Sequence, residues 1–395
     1  MRRLLLLIYA LIFVDEIVLL AIVPLTPIYG DELGLSKVET GVLLSASSVT
    51  TVASSIPIGL LSDRVGARRL TLAAGAILAL ATLGQGLAGD FGLLLASRVA
   101  FGLASTTIWT AGVAWLSDSA PPGRRSSALG AVMAVAGIGG VVGPGFAGLV
   151  AEHAGTAVPF VATAIAAAAV TAALAASGPG GVADHEPQHV LATFRAARAE
   201  GLIVAAFAAM FIGGIADGVV NLLAPLQLDA SDLSTGSIGL VFSASAAIFI
   251  VTSALVARLG DRAVTLAVLG VSALVLAGSF VPALIGRDAA PVIASVLARS
   301  PFLAVLYTVA LPLGAEAARR TGLGRGAIIG LINLAWGSAT AIGPVSAGGL
   351  AEAAGERVVY AVLVGACLAV GSWMLASARS AGRVASRLPA EAEPS

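Results

Sequence analysis

Two adjacent acids, Asp15 and Glu16, lie in a long apolar stretch near the N-terminus. About 11 residues of that stretch precede them, which at a helical rise of about 1.5 Å places them roughly 16 Å deep, near the middle of a bilayer. An ionisable group at that depth costs about 2.5 to 3.5 kcal/mol on insertion scales, and two neighbouring acids repel each other when both are charged. The pair therefore predicts reversible proton binding, with a structural ion pair to an arginine on another helix as the alternative. Because neighbours on a helix point about 100° apart, we expect only one acid, Asp15, to face a cavity.

A single arginine, Arg98, interrupts another apolar stretch, with Gly102 one helical turn further on. An arginine in hydrocarbon needs an anionic or carbonyl partner, and a structural pair within its own half of the chain is one interpretation. Arg299 lies at nearly the matching place in the second half of the chain. No comparable motif surrounds Arg299, since Ser300 and Pro301 follow it. We therefore rank it below Arg98 as a candidate functional residue.

A further acid, Asp217, lies eight residues before Pro225, much as Asp15 lies nine before Pro24. Asn221 is on the same helical face as Asp217, one turn away. This pair is expected to bind substrate or a second proton, or to form a hydrogen bond with a neighbouring helix.

The composition is that of a membrane protein. Of 395 residues, 58% are hydrophobic and 11% are charged, whereas ordinary globular domains carry about 25% charged residues. A single cysteine, Cys367, excludes an internal disulfide and a cysteine metal cluster, and we expect no metal or other cofactor. The formal net charge of +0 gives no indication of a nucleic-acid partner. The N-terminal stretch imitates a secretory signal but continues past Asp15 to Tyr29 without a cleavage site, so we interpret it as a retained first helix.

Apolar stretches of spanning length, about 20 residues, occur six times on each side of one long polar break. The predicted organisation is a first six-helix bundle at 1–177, a linker at 178–200, a second bundle at 201–378 and a tail at 379–395. Seventeen of the 22 Lys and Arg residues fall on the side of the N-terminus, against three on the other side. By the positive-inside rule, both termini, the linker and the tail are therefore expected in the cytoplasm.

The two halves also repeat each other. GPGFAGLVAEHAG at 143–155 matches GPVSAGGLAEAAG at 343–355, and GVLLSASS from Gly41 matches GLVFSASA from Gly239. Six helices per half, both halves entering from the same side, predict parallel repeats with a transport path between them.

The stretch GLLSDRVGARR at 59–69 joins two apolar runs through a glycine-containing turn. It resembles the loop between helices 2 and 3 of the major facilitator superfamily, although Ala67 stands where a basic residue is common. The matching residues are Gly59, Asp63, Arg64, Gly66, Arg68 and Arg69. The resemblance implies that this loop holds one conformation of the two halves; an ordinary cytoplasmic turn is the alternative.

Three further stretches resemble the drug:proton antiporters of this superfamily. Asp15 followed by Pro24 and Pro27 resembles their first helix, and Arg98 with Gly102 resembles a helix 4 motif in which arginine promotes proton release. The helix 5 stretch resembles the motif that separates antiporters from symporters, with Gly139, Gly143, Pro144 and Gly148 matching and Ala147 departing from it. A small-xxx-small packing face is the alternative for this stretch, and its copy at Gly343 and Pro344 favours that alternative.

The resemblance implies an all-α membrane protein in which twelve transmembrane helices form two parallel-repeat six-helix bundles. In that plan helices 4, 10 and 11 face inward, which adds candidates for the substrate cavity: Trp109, Tyr307, Asn333 and Trp336. The expected function is proton-coupled efflux of a small amphipathic or drug-like compound by a monomer in a prokaryotic cytoplasmic membrane. The alternatives are a proton-coupled importer of a metabolite and a membrane sensor or scaffold that transports nothing. No nucleotide loop, metal cluster or catalytic triad pattern indicates an enzyme.

Overall fold

The structure, a computed structural model, describes residues 2–121, 123–177, 200–286, 288–321 and 325–385. All regular secondary structure in these ranges is helical. Eleven helices of the described chain are long and apolar enough to cross a membrane, and the helix Arg325–Ala354 makes the twelfth. The predicted set of twelve membrane helices is thus confirmed. The predicted linker, apart from Glu200, and the part of the predicted tail after residue 385 lie outside the described residues.

The helices are numbered in chain order. Their bounds are α1 Arg2–Leu33, α2 Lys37–Val65, α3 Ala67–Gly86, α4 Phe91–Ser119, α5 Arg125–Ala154, α6 Ala157–Ala175, α7 Gly201–Asp229, α8 Thr235–Leu259, α9 Leu266–Ile285, α10 Ala289–Thr321, α11 Arg325–Ala354 and α12 Glu356–Ala385. Three helices are irregular: α1 has a 3₁₀ turn at Val23–Leu25, α4 has a π turn at Ile108–Gly112, and α9 is interrupted at Phe280. The first contains Pro24, which cannot donate a backbone hydrogen bond to the preceding turn.

The ends of the helices follow from short signals in the sequence. Ser36 and Glu39 form a capping box at the start of α2, in which each side chain satisfies a backbone N–H of the first turn. Gly66 connects α2 directly to α3 with φ at 91°, a conformation that glycine adopts without steric cost. Gly155 and Gly355 end α5 and α11 with φ at 90° and 89°, so the repeat also preserves these two turns.

Each half packs its six helices in the same way. In the first half α1 packs on α5, α2 and α3 pack on α4, and α3 packs on α6. The equivalent pairs recur in the second half, where α7 packs on α11, α8 and α9 pack on α10, and α9 packs on α12. The predicted arrangement of two six-helix bundles related as parallel repeats is therefore confirmed.

The halves meet along two seams, the α2–α11 seam and the α5–α8 seam. A Cβ added at Gly41 would lie 2.5 Å from the carbonyl oxygen of Pro344, and one at Gly148 would lie 2.5 Å from the carbonyl oxygen of Thr235. Glycine therefore lets the two backbones touch at each seam. Gly41 and Gly148 both belong to the stretches in which the two halves of the sequence repeat each other.

Contact between the halves is concentrated on one side of the membrane. We call the side on which α6 ends and α7 begins the linker side, and the opposite side the far side. Both seam glycines lie towards the far side. In α8, which begins there, all buried residues lie at or before Ser245. In α2, buried residues run from Thr40 to Ser47, and only Ile58 is buried beyond them. The halves are thus closed against each other on the far side and separate towards the linker side.

Candidate functional site

Asp15 is fully buried between α1 and α4. Its Oδ2 atom accepts a hydrogen bond of 2.9 Å from the hydroxyl of Ser105 and one of 3.2 Å from the indole Nε1 of Trp109. Its Oδ1 atom is buried and has no hydrogen-bond partner in the described part of the chain. No cation of those ranges pairs with this carboxyl group, so its surroundings do not compensate a full negative charge.

Trp109 reaches the carboxyl group from the π turn of α4. A π turn adds one residue to the helical repeat and rotates the residues that follow it, and such turns are common at functional sites. Ser105 lies one turn before Trp109, ahead of the irregularity. One hydrogen bond to Asp15 thus comes from Ser105, in the regular part of α4, and the other from Trp109, within the π turn.

Glu16 packs beside α5. It is half-buried, and a Cβ added at Gly139 on α5 would lie 2.8 Å from the Cβ of Glu16. Its carboxyl group also has the Trp109 side chain as a hydrogen-bond neighbour, so the two acids share Trp109. That only Asp15 faces a cavity stays a prediction. Which of them binds a proton stays a prediction.

Arg98 is buried among uncharged partners of the first half. One Nη atom donates to the hydroxyl of Ser47 at 3.0 Å and the other to the amide oxygen of Gln85 at 3.4 Å, while the guanidinium lies 5.1 Å from the centroid of the Phe101 ring. Gly102 makes this approach feasible, because a Cβ there would lie 2.6 Å from the backbone oxygen of Ser47. Among the described residues, no acid forms an ion pair with Arg98, and the expected contact with the cavity acid is not made in this conformation.

The second half arranges equivalent residues differently. Asp217 on α7 forms an ion pair with Arg299 on α10 and accepts a hydrogen bond of 2.8 Å from the hydroxyl of Tyr307. The side chain of Arg299 is 5% exposed, against 24% for that of Asp217. Arg299, ranked low from the sequence because no motif surrounds it, is thus the charge partner of a candidate site residue.

The two acids lie on corresponding helices, α1 and α7, although not at the same position of the repeat, since Asp15 lies nine residues before Pro24 and Asp217 eight before Pro225. In each half a hydroxyl group on the fourth helix donates to the acid, Ser105 to Asp15 and Tyr307 to Asp217. The arginines of these helices are nearly equivalent, yet Arg299 binds its acid and Arg98 does not. The halves therefore differ in whether the acid is neutralised by arginine.

The remaining cavity candidates divide into two groups. Tyr307 makes an edge-on contact with Phe249, with ring centroids 5.8 Å apart. A Cβ at Gly214 would lie 3.0 Å from the backbone oxygen of Trp336, so Trp336 packs against α7 close to Asp217. Asn221, one turn from Asp217, is half-buried, and Asn333 on α11 is exposed; neither is drawn into the cluster around Asp217 by a hydrogen bond to its carboxyl group.

The predicted turn at 59–69 is also observed, although it is shorter than a loop. Asp63 and Arg64 belong to the last turn of α2. Arg68, at the start of α3, donates hydrogen bonds of 2.8 and 3.3 Å to the carbonyl oxygens of Ala175 and Ser177 at the end of α6. A cation there complements the negative end of the α6 dipole. Two other members of the motif, Arg64 and Arg69, are exposed, and Gly59 has open space around its α carbon.

The helix 5 motif forms the predicted close-packing face. A Cβ at Gly143 would lie 2.9 Å from the backbone oxygen of Ile17 on α1, and Gly139 packs beside Glu16 on the same helix. Gly148 faces the opposite direction and packs on α8, together with the backbone around Pro144. One helix therefore touches both the acid pair and the other half of the molecule. The role of this motif in antiport stays a prediction.

Comparison with known proteins places the chain in a family. The family model described as Major Facilitator Superfamily matches residues 5–327. The crystal structure of a bacterial homolog to human lysosomal transporter Spinster, in an inward-facing and unoccupied conformation, is similar with a TM-score of 0.71 and 18% identity over 98% of both chains.

Two curated relatives match over shorter stretches. A probable vesicular acetylcholine transporter-B of Danio rerio is 31% identical over 170 residues, 40% of this chain and 34% of that protein. The quinolone resistance protein NorA of Staphylococcus aureus is 26% identical over 132 residues, 33% of this chain and 34% of NorA. The matches thus span about a third of each relative. Together with the match to the family model over most of its length, the twelve helices and two repeated bundles show that this chain belongs to the Major Facilitator Superfamily, a family of secondary transporters rather than enzymes.

Proposed function

We propose that this transporter couples the entry of protons to the export of a small amphipathic compound, and that Asp15 is the proton-binding residue. The observation that carries the proposal is the Asp15 carboxyl group itself, which is fully buried, has one oxygen without a hydrogen-bond partner and pairs with no cation in the described chain. An isolated buried carboxylate is strongly disfavoured unless it is protonated or finds a cation. A site with these properties takes up a proton in one conformation and releases it when its surroundings change.

The second half serves as an internal comparison. Asp217 lies on the corresponding helix and also accepts a hydrogen bond from a hydroxyl group of the fourth helix, but Arg299 neutralises it. A carboxylate held by a buried guanidinium has no need of a proton. The transported proton is therefore assigned to the first half, where the equivalent pairing is absent.

The same comparison supports a role for Arg98 in releasing the proton. Arg299 shows that an arginine at this place in the repeat can reach the acid on the first helix of its half. Arg98 instead binds Ser47 on α2 and Gln85 on α3. Movement of α4 relative to these helices would let Arg98 approach Asp15 and favour the charged carboxylate. During alternating access, Arg98 would then exchange its hydrogen bonds to Ser47 and Gln85 for an ion pair with Asp15.

Export and an amphipathic substrate are inferred from the resemblance of helices 1, 4 and 5 to drug:proton antiporters, and from the partial similarity to the quinolone resistance protein NorA. The aromatic side chains beside the two acids provide apolar surface for such a compound. They are Trp109 in the first half and Tyr307 and Trp336 in the second. Glu16 is assigned a supporting role in the proton site because it adjoins Asp15 on another face of α1.

The arginine asymmetry of the sequence supports the proposed orientation, in which both termini and the linker side are cytoplasmic. The far side, closed in this structure, would then face outward and the molecule would be open to the cytoplasm. We propose a monomer in a cytoplasmic membrane. The relatives come from an animal and a bacterium, so the prokaryotic origin stays a prediction.

The test is transport in everted vesicles with an imposed pH gradient, measured against a panel of amphipathic compounds. Asparagine at position 15 can still accept hydrogen bonds from Ser105 and Trp109 but cannot titrate. Asp15→Asn is therefore expected to abolish gradient-driven accumulation while downhill exchange persists, and Glu16→Gln to reduce accumulation only partly. An importer would accumulate substrate in right-side-out vesicles instead. Full gradient-driven accumulation by Asp15→Asn would show that the proton site lies elsewhere.

A further inference from the structure

A serine of the second half, Ser243 on α8, inserts its hydroxyl group into the backbone of α5. It donates a hydrogen bond of 2.6 Å to the carbonyl oxygen of Val141 and accepts one of 2.8 Å from the N–H of Gly145. In an unbroken helix this carbonyl and this N–H bond to each other. Here Pro144, which lacks an N–H and bends helices, lies between them. The Ser243 hydroxyl group thus binds two backbone groups of α5 that lie one helical turn apart, on either side of Pro144.

We propose that Ser243 is a gating residue, which holds the far side closed by completing the hydrogen bonds of α5 at Pro144. The contact can exist only while α5 and α8 are together. When the α5–α8 seam opens, both backbone groups lose this partner, and water or the helix itself must satisfy them. The hydroxyl group therefore stabilises the closed state relative to the open one.

The repeat shows that this contact is specific to one seam. Ser45 on α2 is the equivalent of Ser243 and is 2% exposed, yet its hydroxyl group has no hydrogen-bond partner in the described chain. It faces the α11 copy of the motif, where Val345 replaces Gly145. A Cβ at Gly145 would lie 2.7 Å from the Oγ of Ser243. Glycine at position 145 therefore admits the hydroxyl group, and valine in the second copy provides no such opening.

One pair of contacts is common to both seams, and an ion pair between Lys37 and Glu356 joins the halves beside the α2–α11 seam. Glu152 accepts a hydrogen bond of 2.8 Å from the N–H of Gly236, and Glu352 accepts one of 2.9 Å from the N–H of Val38. These two contacts are equivalents in the repeat and cap the first turn of α8 and of α2 with exposed glutamates. Ser243 acts deeper, at the proline of the motif itself, and in one seam only.

The experiment measures the distance between spin labels on the far side, attached to Gly89→Cys and Ala290→Cys in a Cys367→Ser background. Both label sites are exposed, and they lie on opposite halves at the starts of α4 and α10. Ser243→Ala removes two hydrogen bonds present only in the closed state, so the ratio of open to closed molecules should rise about tenfold. Ser45→Ala, the matched control, should change that ratio less than about twofold.

A second variant approaches the contact from α5. Gly145→Ala places a methyl group against the Ser243 oxygen and should also raise the open fraction. With Ser243→Ala present that oxygen is gone, so Gly145→Ala should then add little, and the two effects should not be additive. A merely structural serine would lower thermal stability and leave the distance distribution unchanged. Equal distributions for Ser243→Ala and Ser45→Ala, or additive effects in the double variant, would overturn the proposal.

Discussion

Removing the charge of Asp217 should destabilise the protein, whereas removing that of Asp15 should not. Asp217→Asn keeps an acceptor for the Tyr307 hydroxyl group but leaves Arg299, whose side chain is 5% exposed, without its counter-charge. Asp15→Asn removes a carboxyl group that pairs with no cation and keeps an acceptor for Ser105 and Trp109. The two substitutions are chemically identical and lie on corresponding helices of the two halves.

The expected loss of stability depends on the unpaired Arg299 charge that Asp217→Asn leaves behind. Breaking a buried ion pair by removing one partner typically costs about 3 to 5 kcal/mol. Because 24% of the Asp217 side chain is exposed, water can partly replace the lost carboxylate, and we expect about 2 kcal/mol. At about 2 to 4 °C per kcal/mol for a six-helix unit of this size, the apparent Tm should fall by about 4 to 8 °C. For Asp15→Asn the expected change is between zero and a small increase.

The assay is thermal unfolding in detergent, followed by tryptophan fluorescence at one detergent concentration and pH for all variants. Arg299→Gln in the Asp217→Asn background removes the unpaired charge and should recover part of the lost Tm. Equal losses of Tm for Asp15→Asn and Asp217→Asn, or a larger loss for Asp15→Asn, would refute the idea that arginine pairing differs between the halves.

Two predictions concern the surface proposed to be cytoplasmic. Asp63→Asn should slow turnover at near-normal expression, because the turn between α2 and α3 is expected to stabilise one conformation of the halves; unchanged transport would reduce this turn to a topology signal. A cysteine at Pro187 in the Cys367→Ser background should react with an impermeant maleimide only after the cells are opened, and labelling of intact cells would contradict the cytoplasmic linker.

The fold could be predicted from the sequence because it depends on the length and composition of the apolar stretches and on the repeat between the two halves. Apolar stretches of spanning length locate the helices, and the repeated glycines and proline at 143–155 and 343–355 relate the halves. Those repeated residues proved to be the backbone contacts of the seams. Residues that must be small for two helices to touch leave a strong signal, since few other residue types satisfy the same position.

The partners of the site residues were harder to predict. Ser105 is one of several hydroxyl groups in α4, and the π turn at Ile108–Gly112 shifts the angular register on which a helical projection relies. Arg299 lacked a recognisable motif, although its offset from Arg98 was a usable signal. Since Asp15 and Asp217 lie on corresponding helices of the two halves, comparing α4 with α10 would have pointed to Arg299 as the partner of an acid.

Helix α5 connects the two features in which the halves differ. On one face Gly139 and Gly143 pack against α1 beside Glu16, one residue from the unpaired acid; on another face its backbone at Pro144 receives the hydroxyl group of Ser243. Its counterpart α11 packs on α7, where the acid is already neutralised by arginine, and receives no hydrogen bond from its serine. A change in the packing of α1 on protonation would therefore reach a seam closed by a specific hydrogen bond through α5, and also through the 3₁₀ turn of α1, which touches α8. The differences between the repeats thus put the proposed proton site on α1 next to α5, the helix that forms this seam, which is an arrangement that coupling of proton binding to opening requires.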